Sequence, residues 1–241
     1  MAKTDTGFQT ALVLHVRPYR ESSQLVELFS QEQGRLGLVA NGSRRQKSGH
    51  KALLQPFVPL QIRWRGAGDL KTLERLEPLA LPVPLQGTAL FSGLYLNELL
   101  YYLLERHTPY PALFSQYVQS LAGLAQAPDP QPVLRRFELA LLQALGYGVA
   151  LEHTADGEPL VPEADYCYRH ELGLIPASVA TPAAERLPGE HLLAMAADRL
   201  ETPEGLATAK RLCRQALKPY LGDRPLRSRE LFSTGTKRTM E

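Results

Sequence analysis

The chain has 241 residues, 44% hydrophobic and 22% charged, with a formal net charge of +2 and two cysteines, Cys167 and Cys213. That composition provides a core and excludes a disulfide scaffold, although one bridge between the two cysteines is open. No apolar run approaches the roughly 20 residues that cross a bilayer, and Met1-Ala2-Lys3-Thr4-Asp5 lacks the order of a secretory leader, so the expected location is the cytoplasm. Charge is unevenly spread. Residues 1–85 carry twelve Lys/Arg against seven Asp/Glu, residues 86–200 six against thirteen, and residues 201–241 nine against five. Positive ends around an acidic middle suggest separate surfaces for separate partners, because a net field steers polyanions to one face.

In chain order, short alternating apolar runs at 9–16, 25–30, 35–40, 57–64 and 70–76 are separated by Gly, Pro and polar turns. This rhythm predicts a small all-β barrel or sandwich. The connection 42–51 carries Arg44, Arg45, Lys47 and Lys51 with His50 and no acid, which predicts an open loop suited to a polyanion. Pro78, Pro82 and Pro84 then fall within eight residues, which helices and ladder strands tolerate poorly, so a domain boundary is expected there. Beyond it the period changes to 3.6. An unusually apolar helix is expected at 86–106, broken by a polar turn at Asn97-Glu98, and a second from Pro109 to about 126. A third begins near Pro132 and ends at Gly146 as a left-handed cap. Residues 151–188 read as a Gly-, Pro- and acid-rich insertion with a strand at Tyr166-Cys167-Tyr168. A last helix has Thr202 as N-cap, Pro203 at its first position and Glu204 near the positive dipole end, and is expected to stop at Pro219.

Catalytic patterns are missing. The spacing from Gly42 to Gly49 is wrong for a phosphate-binding loop, and neither a Gly-x-Ser-x-Gly elbow nor His-Glu-x-x-His occurs. The carboxylates of the middle segment are scattered through turn-like sequence, so no enzyme is expected. His153, Cys167 and His170 lie within eighteen residues, but a structural zinc needs four closed ligands and the second pair is absent, so no metal is expected.

The nucleic-acid reading is stronger. Arg17, Tyr19, Arg20, Arg35, Arg63, Trp64 and Arg65 interleave cations with aromatics on the barrel runs, and Arg44, Arg45, Lys47 and Lys51 crowd one loop. Cations follow phosphates, and rings stack bases for about 1–3 kcal/mol each. A second basic surface falls on the helices. Lys210 and Arg214 line a stripe with Lys218, Arg211 adjoins it, and Arg135 and Arg136 stand beside Leu139 and Leu142. Arginine next to an apolar slot suits an acidic peptide ending in an aromatic residue.

These stretches together identify a resemblance. Ala11-Leu12-Val13-Leu14-His15-x-Arg17-Pro18, Gly34-Arg35, Ala52-Leu53-Leu54-Gln55-Pro56-Phe57, Tyr95-Leu96-Asn97-Glu98-Leu99-Leu100, Leu134-Arg135-Arg136-Phe137-Glu138-Leu139-Ala140-Leu141-Leu142, Leu145-Gly146-Tyr147-Gly148 and Ala216-Leu217-Lys218-Pro219-Tyr220-Leu221-Gly222 run in collinear order. They resemble the RecO family of bacterial recombination mediators. The resemblance implies an α+β chain with an oligonucleotide-binding β-barrel at 1–80 and a mostly helical domain at 81–241, with a β-containing insertion at about 151–190. It implies binding to single- and double-stranded DNA and annealing of complementary strands. It implies docking on the acidic C-terminal tail of single-strand-binding protein and, with RecR, loading of the RecA recombinase, by a chain that is a monomer alone. Many relatives carry a four-cysteine zinc knuckle in the insertion. Here neither Cys-x-x-Cys pair is present and His153 stands about where the first would begin, so no cofactor is expected. The competing reading from another class is an adaptor whose basic surfaces meet acidic proteins and never DNA.

Overall fold

The computed structural model describes residues 7–45, 49–66, 70–181 and 183–238, and the loop cation Lys47 lies outside them. Five strands, β1 (Gln9–Tyr19), β2 (Ser23–Ser30), β3 (Gly34–Ala40), β4 (Leu60–Arg65) and β5 (Leu70–Pro78), close into a barrel in the order β1-β2-β3-β5-β4. Every neighbouring pair is antiparallel except β3 with β5. Of the barrel or sandwich that the alternating runs allow, this is the small barrel, of the oligonucleotide-binding type that the resemblance implies. Val13, Val26, Leu28, Leu36, Leu38, Leu60, Ile62 and Trp64 belong to its core.

Strand β2 departs from simple alternation, because Val26 through Ser30 are all buried. Its outer face is covered as well as its inner one: the Phe29 ring lies 5.3 Å from Phe114 and 6.2 Å from Tyr117. Both partners belong to α3 (Pro111–Gln126), which starts on a proline at its first turn, where the missing N–H costs nothing. A strand covered on both faces is buried at consecutive positions, and the Glu27 that this encloses is held by Arg35 and Arg106.

The helix before it, α2 (Gly87–Leu103), is a single helix without the polar turn expected at Asn97-Glu98. Asn97 is buried, and its Nδ2 donates to the backbone oxygens of Val13 and Leu14 at 3.2 and 3.3 Å. Those carbonyls flank a bulge in β1, where the register with β2 shifts between Val13 and His15. A bulge leaves ladder groups unpaired, and the amide satisfies them. The Asn97 Oδ1 accepts from the Tyr117 hydroxyl at 2.5 Å, and burial pushes that phenol pKa upward. Polar residues that look like a break therefore stitch the helix to the barrel.

The chain divides into two compact units, Met1–Ala127 with Pro225–Glu241, and Pro128–Arg224. In the first, α7 (Arg227–Arg238) packs on α2. Glu98 accepts hydrogen bonds at the start of α7 from the Arg227 and Ser228 backbone N–H groups at 2.9 and 3.0 Å, and from the Ser228 hydroxyl at 2.5 Å. A carboxylate at the positive end of a helix dipole is well placed. The other new piece in this unit is α1 (His50–Leu53), a single turn where the sequence predicts that the open loop continues.

In the second unit α4 (Gln131–Ala144) and α6 (Pro203–Leu221) pack together, with α5 (Gly189–Ala196) also against α6. Between α4 and α5 the insertion forms a three-stranded sheet, β6 (Asp165–Arg169), β7 (Gly173–Pro176) and β8 (Leu187–Pro188), in the order β7-β6-β8. Gly146 adopts φ +82° just past α4, the cap conformation that its position predicts. The Thr202 hydroxyl caps α6 by accepting from the Gly205 N–H at 3.1 Å. Pro219 does not end that helix, which continues to Leu221 and stops at Gly222. Pro219 lacks the N–H that would bond the Gln215 oxygen, so α6 loses one internal bond there, and it closes with the Gly222 N–H donating to the Lys218 oxygen at 3.0 Å.

Candidate nucleic-acid interface

Pairing registers build the basic face. Arg17 pairs with Leu25, Leu25 with Val39, Val39 with Thr72, and Thr72 with Arg65, so one row runs across the four strand pairs with an exposed arginine at each extremity. At this end of the barrel β1 turns into β2 through Arg20, at φ +51°. The guanidinium of Arg20 lies 5.1 Å from the centre of the half-buried Tyr19 ring. The loop after β3 is fastened to the same turn. The Arg44 N–H donates to the Ser22 oxygen at 3.0 Å, and its guanidinium donates to the Arg20 and Glu21 oxygens at 3.4 and 3.3 Å. Buried Ser43 donates to the Ala40 oxygen at 2.9 Å and anchors the start of the loop.

Arg17, Arg20, Arg44, Arg45, Lys51 and Arg65 are all exposed, and none forms an ion pair among the described residues. Glu21 is the acid that shares the turn. Like charges held together without counter-charges raise a local positive potential that a polyanion relieves. Arg20 belongs to the cation-and-aromatic series of the barrel runs without being assigned to DNA there; its left-handed turn beside Tyr19 adds it to the basic face.

Three other barrel residues are placed differently. Trp64 is 4% exposed in the barrel core, so its ring faces are packed and unavailable to a base. The structure therefore corrects its expected role, because a bulge between Arg63 and Trp64 turns the indole inward. Arg35 donates from Nε to the Leu104 oxygen at 3.0 Å, lies 3.7 Å from Glu27 and sits over the Tyr101 ring. Burial lowers its pKa, with Glu27 opposing the shift. Buried Glu27 is also held by Arg106. Arg63 pairs with Glu74 at 3.2 Å and lies over Phe8. Both arginines are committed to internal partners.

In the second unit the buried faces of α6 leave Lys210, Arg214 and Lys218 exposed, i to i+4 apart. Arg211 is turned aside, donating to the Thr208 hydroxyl at 3.0 Å and lying 3.7 Å from Glu185. Arg136 donates to the Asp198 carboxylate at 2.5 Å. Arg135 is 4% exposed and paired at 3.0 Å with Glu138, itself 1% exposed. That corrects the expectation of a surface arginine: position 135 faces the buried side of α4, and its charge is neutralised there. Leu142 is fully buried and Leu139 packs against the core cluster of this unit.

A cleft of about 470 Å³ lies between the end of α4 and the insertion, lined in part by His153, Tyr168, His170 and Tyr220. Tyr147 and Tyr220 stack there at 3.8 Å, with the His170 ring edge-on to Tyr220 at 5.3 Å. Cys167 does not line it; it is buried in β6, where burial raises its thiol pKa. Among the described residues no three His, Cys, Asp or Glu side chains gather as a metal site. The donor set does not fit a zinc knuckle. Cys213 is also buried and free. No described helix is long and apolar enough to cross a membrane.

Comparison with known proteins agrees along the whole chain. The family models for the recombination protein O N terminal and C terminal match residues 7–82 and 84–230. DNA repair protein RecO of Aliivibrio fischeri is 47% identical over 234 residues, covering 97% of this chain and 98% of the relative. The proteins of the same name from Photobacterium profundum and Vibrio parahaemolyticus are 49% and 50% identical, over 96% and 94% of this chain and 98% and 93% of the relatives.

Proposed function

The chain belongs to the recombination protein O family, and from that premise we propose that it is a non-catalytic mediator of recombination in DNA repair that binds single- and double-stranded DNA and anneals complementary strands. The observation that carries this reading is the group of exposed arginines at one end of the closed barrel, Arg17, Arg20, Arg44, Arg45 and Arg65, none of them ion-paired among the described residues. Residues 1–80 supply the DNA-binding domain and residues 81–241 the helical one. Arg17, Arg20, Arg44, Arg45, Lys47, Lys51 and Arg65 contact phosphates, and Tyr19 stacks.

The second surface is the stripe of Lys210, Arg214 and Lys218, rimmed by Arg136 and Arg211, which takes the acidic C-terminal tail of single-strand-binding protein. Docking on that tail makes the DNA contact intramolecular, so avidity rises without a stronger interface. With RecR, the protein then helps load RecA on the strand. It acts as a monomer in the nucleoid-associated cytoplasm.

The test is fluorescence anisotropy of a labelled strand across a salt series, bare and coated with single-strand-binding protein that has or lacks its acidic tail. Expected are salt-sensitive binding to bare DNA and tail-dependent binding to the coated strand. Absence of DNA binding at low salt overturns the reading in favour of an adaptor for acidic proteins.

A further inference from the structure

With Trp64 in the core, Tyr19 is the aromatic residue that the cationic end of the barrel offers a strand among the described residues. More rings gather farther along β1. A cleft of about 590 Å³, within the roughly 300–1,000 Å³ typical of ligand sites, is bounded by β1, α2 and α7, and Leu14, His15, Tyr101, Tyr102 and Arg227 line it. The His15 and Tyr101 rings are 5.4 Å apart and the Tyr101 and Tyr102 rings 5.3 Å apart. We propose that this cleft is a base-stacking subsite for single-stranded DNA, continuing the strand path that begins on the cationic barrel end; it rests on the DNA-binding reading above.

Two observations support it. First, His15, Arg17 and Tyr19 alternate along β1, so they share one face at steps of roughly 7 Å, and His15 and Arg17 are both exposed. A strand whose phosphates meet Arg17 passes the cleft next. Second, the ring cluster is fixed before any ligand arrives: the Arg35 guanidinium lies 5.4 Å over Tyr101, so little ordering cost falls on binding.

The experiment compares a base-bearing strand with an abasic strand of equal length, by anisotropy across a salt series. Tyr102→Leu should weaken the base-bearing strand roughly five- to hundredfold, the loss of one stacked base. The abasic strand and both salt slopes should be unchanged, and Tyr102→Phe should bind as the parent does. Equal loss on both strands overturns the subsite. So does no loss on either strand while Arg44→Ala with Arg45→Ala weakens both, an outcome that leaves the DNA reading standing. Parent protein that binds neither strand removes both. Independently of any variant, a strand carrying 5-iododeoxyuridine should photocrosslink to His15, Tyr101 or Tyr102 of the parent chain; adducts confined to other residues overturn the proposal.

Discussion

Two sets of arginines that sequence does not separate stand apart in the structure, those at the mouth of the barrel and those in α4. Arg17, Arg20, Arg44, Arg45 and Arg65 stand exposed without carboxylate partners among the described residues. Arg135 is buried against Glu138, and Arg136 beside it is bound to Asp198. The residue type is the same and its electrostatic consequence is opposite. An unpaired surface guanidinium adds to a field that acts on other molecules, whereas a paired buried one has already spent its charge on its own fold.

The largest effect that would break this contrast is at Arg135. Its replacement by Ala should leave Glu138 buried and unpaired and cost about 3–5 kcal/mol, read as a fall in denaturant midpoint. Arg135→Met with Glu138→Leu should recover most of that loss. A neutral Arg135→Ala would place this arginine in the unpaired class.

Asn97→Ala comes next, at about 1–3 kcal/mol, since two β1 carbonyls and the Tyr117 hydroxyl lose their partner. Chemical denaturation measures it, and the contrast is sharpened if the variant, once folded, still binds DNA.

Arg44→Ala with Arg45→Ala should move stability by no more than about 0.5 kcal/mol. It should lower the salt slope for single-stranded DNA by about 1.4, from two lost phosphate contacts. An unchanged slope would remove the loop from the interface. Lys210→Ala with Arg214→Ala should be equally silent in stability and weaken an acidic tail peptide while leaving bare-DNA affinity intact. Equal losses on both ligands would merge the two surfaces into one.

The smallest effect is invisible near neutrality. Burial, reinforced by Glu138, raises the Cys213 thiol well above its ordinary 9.0. The neutral thiol is favoured in the fold, so its contribution is complete below about pH 9, where the unfolded thiol is also protonated, and is lost as pH rises from 9 toward the folded value. The denaturation midpoint should fall more steeply above pH 9 in the parent chain than in Cys213→Ala. Parallel curves would show that the thiol is open to solvent.

How far the fold is legible depends on how local its cause is. The five strands, the four long helices α2, α3, α4 and α6, the Thr202 cap and the Gly146 cap follow from period and from single-residue conformational preference, which neighbours hardly alter. Helix α7 escapes a sequence reading because it is polar. It is held by Glu98 at its start, by Phe91 against Phe232, and by Arg229 over Tyr95, partners more than a hundred residues away. Helix α5 is hidden behind Pro188 and Gly189, residues that usually punctuate rather than start a helix. Of the candidate interface, Arg17, Arg44, Arg45, Lys51 and Arg65 are marked by their type alone. The burial of Trp64 and Arg135 is not, since a one-residue bulge or a helical phase decides which way a side chain turns.

The sequence by itself determined the class of this protein: a barrel of oligonucleotide-binding type followed by helices, with basic ends and no catalytic pattern. Alternation, prolines and charge counts are properties of neighbouring residues, so they survive without coordinates. Only the tertiary structure decided which charges remain available and where rings converge. Arg17 and Arg65 are brought into one row by strand pairing. Arg35 and Arg63 are withdrawn by carboxylates on neighbouring strands, and His15 is brought against Tyr101 from a distant helix. The reason is that net field and ring proximity depend on distance in space, and closing the barrel sets those distances.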